Sequence, residues 1–115
     1  MATLGQDILT TAVEGGIGYW FQITDAKRTE ELDWVEVTGH ELNDDESTFD
    51  GDKHTIKASS LVKAARELVK AKAVNSRIAA GISHTLNLNE ISADFDSDCA
   101  DCIVQYAVFG KVVYG

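Results

Sequence analysis

Apolar residues recur at helical spacing near the start of the chain, at Leu4, Ile8, Leu9, Ala12 and Val13, which places them on one face of a helix. Thr3-Leu4-Gly5-Gln6 has the form of a capping box: the threonine hydroxyl accepts from the third amide and the glutamine reaches back. Gly15 suits the left-handed position that stops a helix, so the spacing predicts a first helix over about 4–14. After Gly16-Ile17-Gly18 the period changes. The aromatic run Tyr19-Trp20-Phe21-Gln22-Ile23 predicts a strand, and Trp34-Val35-Glu36-Val37-Thr38 alternates as a second. His54-Thr55-Ile56-Lys57-Ala58 gives a short third. The charged residues 25–33 and the acidic residues 41–53 are predicted as connections, with Asp50-Gly51 as a turn signal.

Helical spacing then returns. Ser59 or Ser60 caps a helix lined by Leu61, Ala65, Leu68 and Val69, with Lys63, Arg66 and Lys70 elsewhere on it. Asn75 or Ser76 opens another through Ile78, Ile82 and Leu86. Asp94 to Asp98 crowds negative charge where a helix N-terminus stabilises it, and Ile103, Val104, Ala107 and Val108 carry that last helix to Gly110. Val112-Val113-Tyr114 is expected to close the chain as a strand added to the sheet. The order is α-β-β-β-α-α-α-β. Consecutive strands favour an antiparallel meander with helices on one face, an α+β fold with three to four strands and about four helices.

Size and composition fit one domain over residues 1–115. Apolar residues make up 44% of the chain, enough for a core, and there is no proline. No basic leader with an apolar run opens the sequence, and no stretch reaches the ~18 apolar residues that a membrane-spanning helix needs. Two cysteines do not make a secreted disulfide framework. The expectation is a cytoplasmic protein without membrane contact.

The charge is unevenly spread. Residues 24–52 hold eleven acids and two bases, whereas residues 53–85 hold seven bases and one acid, within a net charge of −9. Direct nucleic-acid binding needs a basic face and is disfavoured.

Each candidate for chemistry has a plainer reading. Cys99-Ala100-Asp101-Cys102 has redox or half-zinc-site spacing, but no second pair of ligands accompanies it and His40, His54 and His84 are scattered. At three apart on a helix, both cysteines fit the core. Asp94, Asp96 and Asp98 imitate the start of a calcium loop, yet the sixth place is Cys99 and the twelfth Gln105, where such a loop needs glycine and glutamate. Gly15-Gly16-Ile17-Gly18 follows a helix and precedes a strand, the reverse of a phosphate-binding loop. Ser83 and His84 are adjacent on a helix and point apart. No metal or cofactor is expected. Asp44, Asp45, Glu46, Asp50 and Asp52 form an acidic stretch that reads as a solvated loop or as an interaction surface. Tyr19, Trp20, Phe21 and Trp34 read as core or as rings lining a pocket.

Both ends of the chain carry longer motifs. Glu14-Gly15-Gly16-Ile17-Gly18-Tyr19-Trp20 and Ala100-Asp101-Cys102-Ile103-Val104-Gln105, the latter followed by Phe109-Gly110-Lys111-Val112-Val113-Tyr114-Gly115, resemble a family of small proteins of uncharacterised activity found in bacteriophages and actinobacterial genomes. The resemblance covers about a third of the chain, and this sequence departs from it at Cys99 and Cys102. It implies a phage or prophage origin and a bacterial host cell. It points to Glu14, Tyr19, Trp20, Asp101 and Gln105 as ligand-binding positions. The leading expectation is a non-enzymatic accessory protein that counters host defence by sequestering a small anionic, nucleotide-type signal, in a pocket that an oligomer would help to enclose. A second is an acidic inhibitor or DNA mimic, acting through residues 25–52 on a host nuclease or CRISPR effector. A third is a structural or regulatory phage protein.

Overall fold

The last helix explains the architecture best, because it is surrounded. In the computed structural model, which describes residues 2–115, helix α4 (Ser97–Phe109) buries every residue from Cys99 to Gln105. A helix buried all round must be the centre of its domain. Around it lie α1 (Leu4–Thr11), α2 (Leu61–Lys70), α3 (Ser76–Leu88) and a three-stranded antiparallel sheet. The strands β1 (Phe21–Arg28), β2 (Trp34–Glu41) and β3 (Lys53–Lys57) run as a meander in the order β1-β2-β3. Phe21, Val37 and Ile56 point inward, while Gln22, Thr55 and Lys57 face solvent. The α+β class, the antiparallel meander and the four helices agree with the sequence-based expectation.

Several helix ends form as the sequence predicts. Thr3 and Gln6 close the capping box on α1, Asn75 accepts from the Ile78 amide, and Asp96 accepts from the Cys99 amide. Gly110 stops α4 at φ +71°, a left-handed conformation that glycine adopts without penalty. At the start of α2, Ser60 holds the capping position, but its side chain makes no capping bond. A short 3-10 turn over Ala58–Ser60 leads in instead.

Three local expectations are corrected. Gly15 does not end the first helix. The helix widens into a π turn over Ala12–Gly16, with the Ile17 amide donating to the Ala12 carbonyl at 3.0 Å. Close packing explains Gly16: a Cβ there would lie 2.9 Å from the Ser97 carbonyl oxygen. Next, β1 starts at Phe21 and continues to Arg28 through residues expected in a connection. As an edge strand with its distal half exposed, it carries Asp25 and Lys27 without desolvating them. Lys27 reaches Glu36 at 3.3 Å, and the Arg28 guanidinium lies 4.3 Å above the Trp34 ring. Finally, Val112-Val113-Tyr114 pairs with no strand. The amides of Val113 and Tyr114 are taken by a side chain instead, as described below.

Candidate functional site

The motifs from the two ends of the chain meet at α4. The π turn and the connector after it bring Tyr19 and Trp20 against Asp101. The Trp20 indole Nε1 donates to Asp101 Oδ1 at 2.8 Å, and the Tyr19 hydroxyl donates to Oδ2 at 2.6 Å. One turn on, Gln105 Nε2 donates to Asp101 Oδ1 at 2.9 Å. Asp101 is 7% exposed and Gln105 0%, so each polar group there requires a partner inside the protein. Gln105 Oε1 accepts from the amides of Val113 and Tyr114 at 2.8 and 2.7 Å. Its Nε2 also approaches the Tyr114 carbonyl at 3.3 Å. The Gln105 amide thus bonds the C-terminal segment much as a neighbouring strand would, which is why that segment needs no place in the sheet.

Four of the five expected ligand-binding residues are therefore neighbours, but most of their groups are spent on one another. Trp20 is 0% exposed. Tyr114 stacks on its ring at 5.1 Å and 10°, and Phe21 and Phe109 crowd it at tilted angles. Of its two sequence-based readings, core or pocket wall, Trp20 occupies the core. Gln105 is likewise enclosed. Glu14 stands apart, exposed on the π turn. Tyr19 keeps a ring 49% exposed. Burial and then Asp101 hold its hydroxyl proton well above the ordinary tyrosine pKa.

Tyr19 and Asp101 line a cleft of about 480 Å³ between the start of α3 and the C-terminal segment. Asn75, Arg77, Asp98 and Tyr114 complete its polar wall. Arg77 is its single cation, and it is forked to Asp96 at 2.9 Å and Asp98 at 3.3 Å. Cys102 lies at the back. Burial, then the Asp101 charge, pushes its thiol up to about 11, and burial does the same to Cys99. Both are buried free thiols, protonated at neutral pH and unlike activated nucleophiles.

A second cavity, of about 500 Å³, lies beside the acidic loop. Of the expected acidic surface, Asp44, Glu46, Asp50 and Asp52 line it together with Glu41, while Asp45 is exposed outside its lining. No lysine or arginine lines it. Asn43 organises the loop, accepting from the Ser47 amide at 3.0 Å and donating to Thr48 at 2.8 Å. Glu41 is shared between His54 and the Tyr114 hydroxyl, which donates to it at 2.6 Å. Burial and then Glu41 push the Tyr114 pKa up to about 12. Among the described residues no group of three or more His, Cys, Asp or Glu is placed to hold a metal ion, and no helix is long and apolar enough to cross a membrane.

Sequence reasoning left Arg77 and Tyr114 out of the candidate set, and Glu41 entered it only within the acidic interval 25–52. Tyr114 belongs to the quoted C-terminal motif and was legible as such. Arg77 carried no local signal, since its partners Asp96 and Asp98 lie far away in the chain. Comparison with protein-family models, curated proteins and solved structures finds no match to this chain.

Proposed function

We propose that this protein works by binding, and that it offers the acidic surface around residues 41–52 to a basic protein partner. The supporting observation is the cavity whose wall gathers Glu41, Asp44, Glu46, Asp50 and Asp52 without an intervening lysine or arginine. Carboxylates brought together in one concavity sum their potentials, steer a cationic partner and repel nucleic acid. The phage origin implied by the terminal motifs suggests a target in the bacterial host, and a defence nuclease or CRISPR effector has the basic groove that such a surface would occupy. The test is charge reversal of Asp44, Asp45 and Glu46 to lysine, assayed by inhibition of purified host nucleases and by pull-down from host extract. Loss of binding with an unchanged melting temperature is expected. Unchanged potency would refute the proposal.

Sequestration of a small nucleotide-type signal is the second reading, and the Tyr19 cleft favours it. A volume of about 480 Å³ lies within the ordinary range of ligand pockets, and the half-exposed Tyr19 ring offers a stacking face. The charge balance counts the other way, because the one cation there is already paired with two carboxylates. A thermal-shift screen against linear and cyclic nucleotides decides between the readings. A salt-tolerant rise in melting temperature that is lost in Tyr19→Ala would favour sequestration.

A further inference from the structure

The two cavities have one residue in common. Tyr114 lines both the acidic concavity and the Tyr19 cleft. It is held rigidly, with its ring stacked on Trp20, its hydroxyl on Glu41 and its amide on Gln105. Beside it, Val113 is 50% exposed and Tyr19 49%. Val113 is next to Tyr114 in the chain but lines neither cavity itself, as is true of the remaining exposed large apolar side chains among the described residues, Leu32, Val35 and Leu88. Tyr114, with Tyr19 in the cleft and the exposed Val113 adjacent in the chain, thus forms a ridge between two groups of carboxylates. In the cleft lie Asp98, paired with Arg77, and Asp101, bonded within the chain, which leave it a net negative charge; the 41–52 acids lie in the concavity.

We infer that the ridge and both cavities form one continuous docking face for an arginine- and lysine-rich protein segment long enough to span them. This rests on the acidic-surface reading and extends it to the C-terminal segment. A patch with an aromatic and apolar centre and a charged rim has the anatomy of a protein interface. Guanidinium forks match carboxylates two oxygens at a time, and a cation also gains from lying over a tyrosine ring. An anionic occupant would meet unfavourable charge on both sides. A small cation would fill one cavity and leave the ridge uncovered. Because the Tyr19 and Tyr114 side chains are already held by their hydroxyl bonds, little of their side-chain entropy is lost when they are covered.

The test is an amide chemical-shift titration of the full chain with a deca-arginine peptide at about 150 mM salt, where long-range attraction is screened. Amides of Gly51 and Asp52 in the loop and of Asp98, Val113 and Gly115 at the ridge should move with one midpoint. Those of the exposed acids Glu30 and Glu90, which line neither cavity, should stay still. Val113→Arg keeps the backbone bond to Gln105 and should raise the midpoint roughly threefold to fivefold, the size of one exposed charge pair. A loop that titrates beside a silent ridge, or a wild-type midpoint in Val113→Arg, overturns the continuous face and leaves the acidic-loop reading standing. A silent loop overturns both. Equal movement at Glu30 and Glu90 shows undirected attraction and overturns the continuous face.

Discussion

Removing the Asp101 carboxylate tests whether this acid is spent on structure. In Asp101→Ala, three donors lose their acceptor at once. The Tyr19 hydroxyl belongs to a half-exposed side chain and can turn to water at little cost. The Trp20 indole N–H and one N–H of the Gln105 amide are enclosed, and each loses its acceptor at about 1–3 kcal/mol, while the other Gln105 N–H keeps the Tyr114 carbonyl. The expected loss is therefore roughly 2–6 kcal/mol, set against a total stability of about 5–15 kcal/mol for a domain of this kind. At about 4 °C per kcal/mol for a chain of this length, the melting temperature should fall by roughly 8–24 °C. Asp101→Asn behaves differently. Its remaining oxygen still serves Trp20 and Gln105, and its new NH2 group donates to the Tyr19 oxygen, whose hydrogen turns outward. Only the charge assistance is lost, about 1 kcal/mol. Urea unfolding followed by circular dichroism measures both, and an unchanged m-value shows that the same surface is exposed in each variant. If Asp101→Ala unfolds within about 1 kcal/mol of the parent, or Asp101→Asn is as damaging as Asp101→Ala, the accounting is wrong. The carboxylate would then be free to serve a ligand.

Gly5→Ala should destabilise the protein although helix propensity alone favours alanine by about 1 kcal/mol; its Cβ would lie 2.2 Å from the Ala58 carbonyl oxygen, and a higher melting temperature would show that α1 shifts freely. Cys99 and Cys102, with thiols pushed up to about 11, should resist iodoacetamide at neutral pH in the folded chain and react readily in urea, as mass spectrometry would read. Rapid labelling of the native protein would revive a reactive role for the pair. Tyr19 and Tyr114 both hold their protons more tightly in the folded chain than at the ordinary tyrosine value of 10.0. Their contribution to stability is thus complete below about pH 10 and lost as the pH rises, for Tyr114 through about 12. Absorbance at the phenolate band and circular dichroism should change together in that window, and ionisation of all three tyrosines near pH 10 without loss of structure would refute the burial of these two hydroxyls.

What could be read in the sequence divides by distance along the chain. Thr3 with Gln6, Asn75 with Ile78, and Asp96 with Cys99 are partners three residues apart, so the helix starts were visible in local residue types. Gly110 gave its stop for the same reason. The extension of β1 was not visible, because Asp25 to Arg28 has the composition of a loop and becomes a strand only through pairing with β2. The strand expected at Val112–Tyr114 shows the opposite case. An extended, apolar segment was recognised, but its hydrogen-bond partner is a glutamine side chain on the preceding helix. Periodicity carries no information on such a bond. The terminal motifs did carry it in another form. They picked out Glu14, Tyr19, Trp20, Asp101 and Gln105 as ligand-binding positions, and the last four are bonded to one another while Glu14 stands apart.

That mutual bonding changes what the motifs can be taken to mean. A residue set required for a ligand should leave donors or acceptors unspent. Here Asp101 and Gln105 meet partners within the chain, and no buried side-chain nitrogen or oxygen among the described residues lacks one. What the network leaves outside is the half-exposed Tyr19 ring, the exposed Val113 and the edge of Tyr114. The motifs therefore account for why the C-terminal segment is rigid, and any selectivity must come from what that rigid segment presents beside the carboxylates. Loosening the network should weaken binding at the ridge even where the carboxylates are untouched. Gln105→Met, which removes the bonds to the Val113 and Tyr114 amides and leaves every carboxylate in place, is the variant in which to look for that effect.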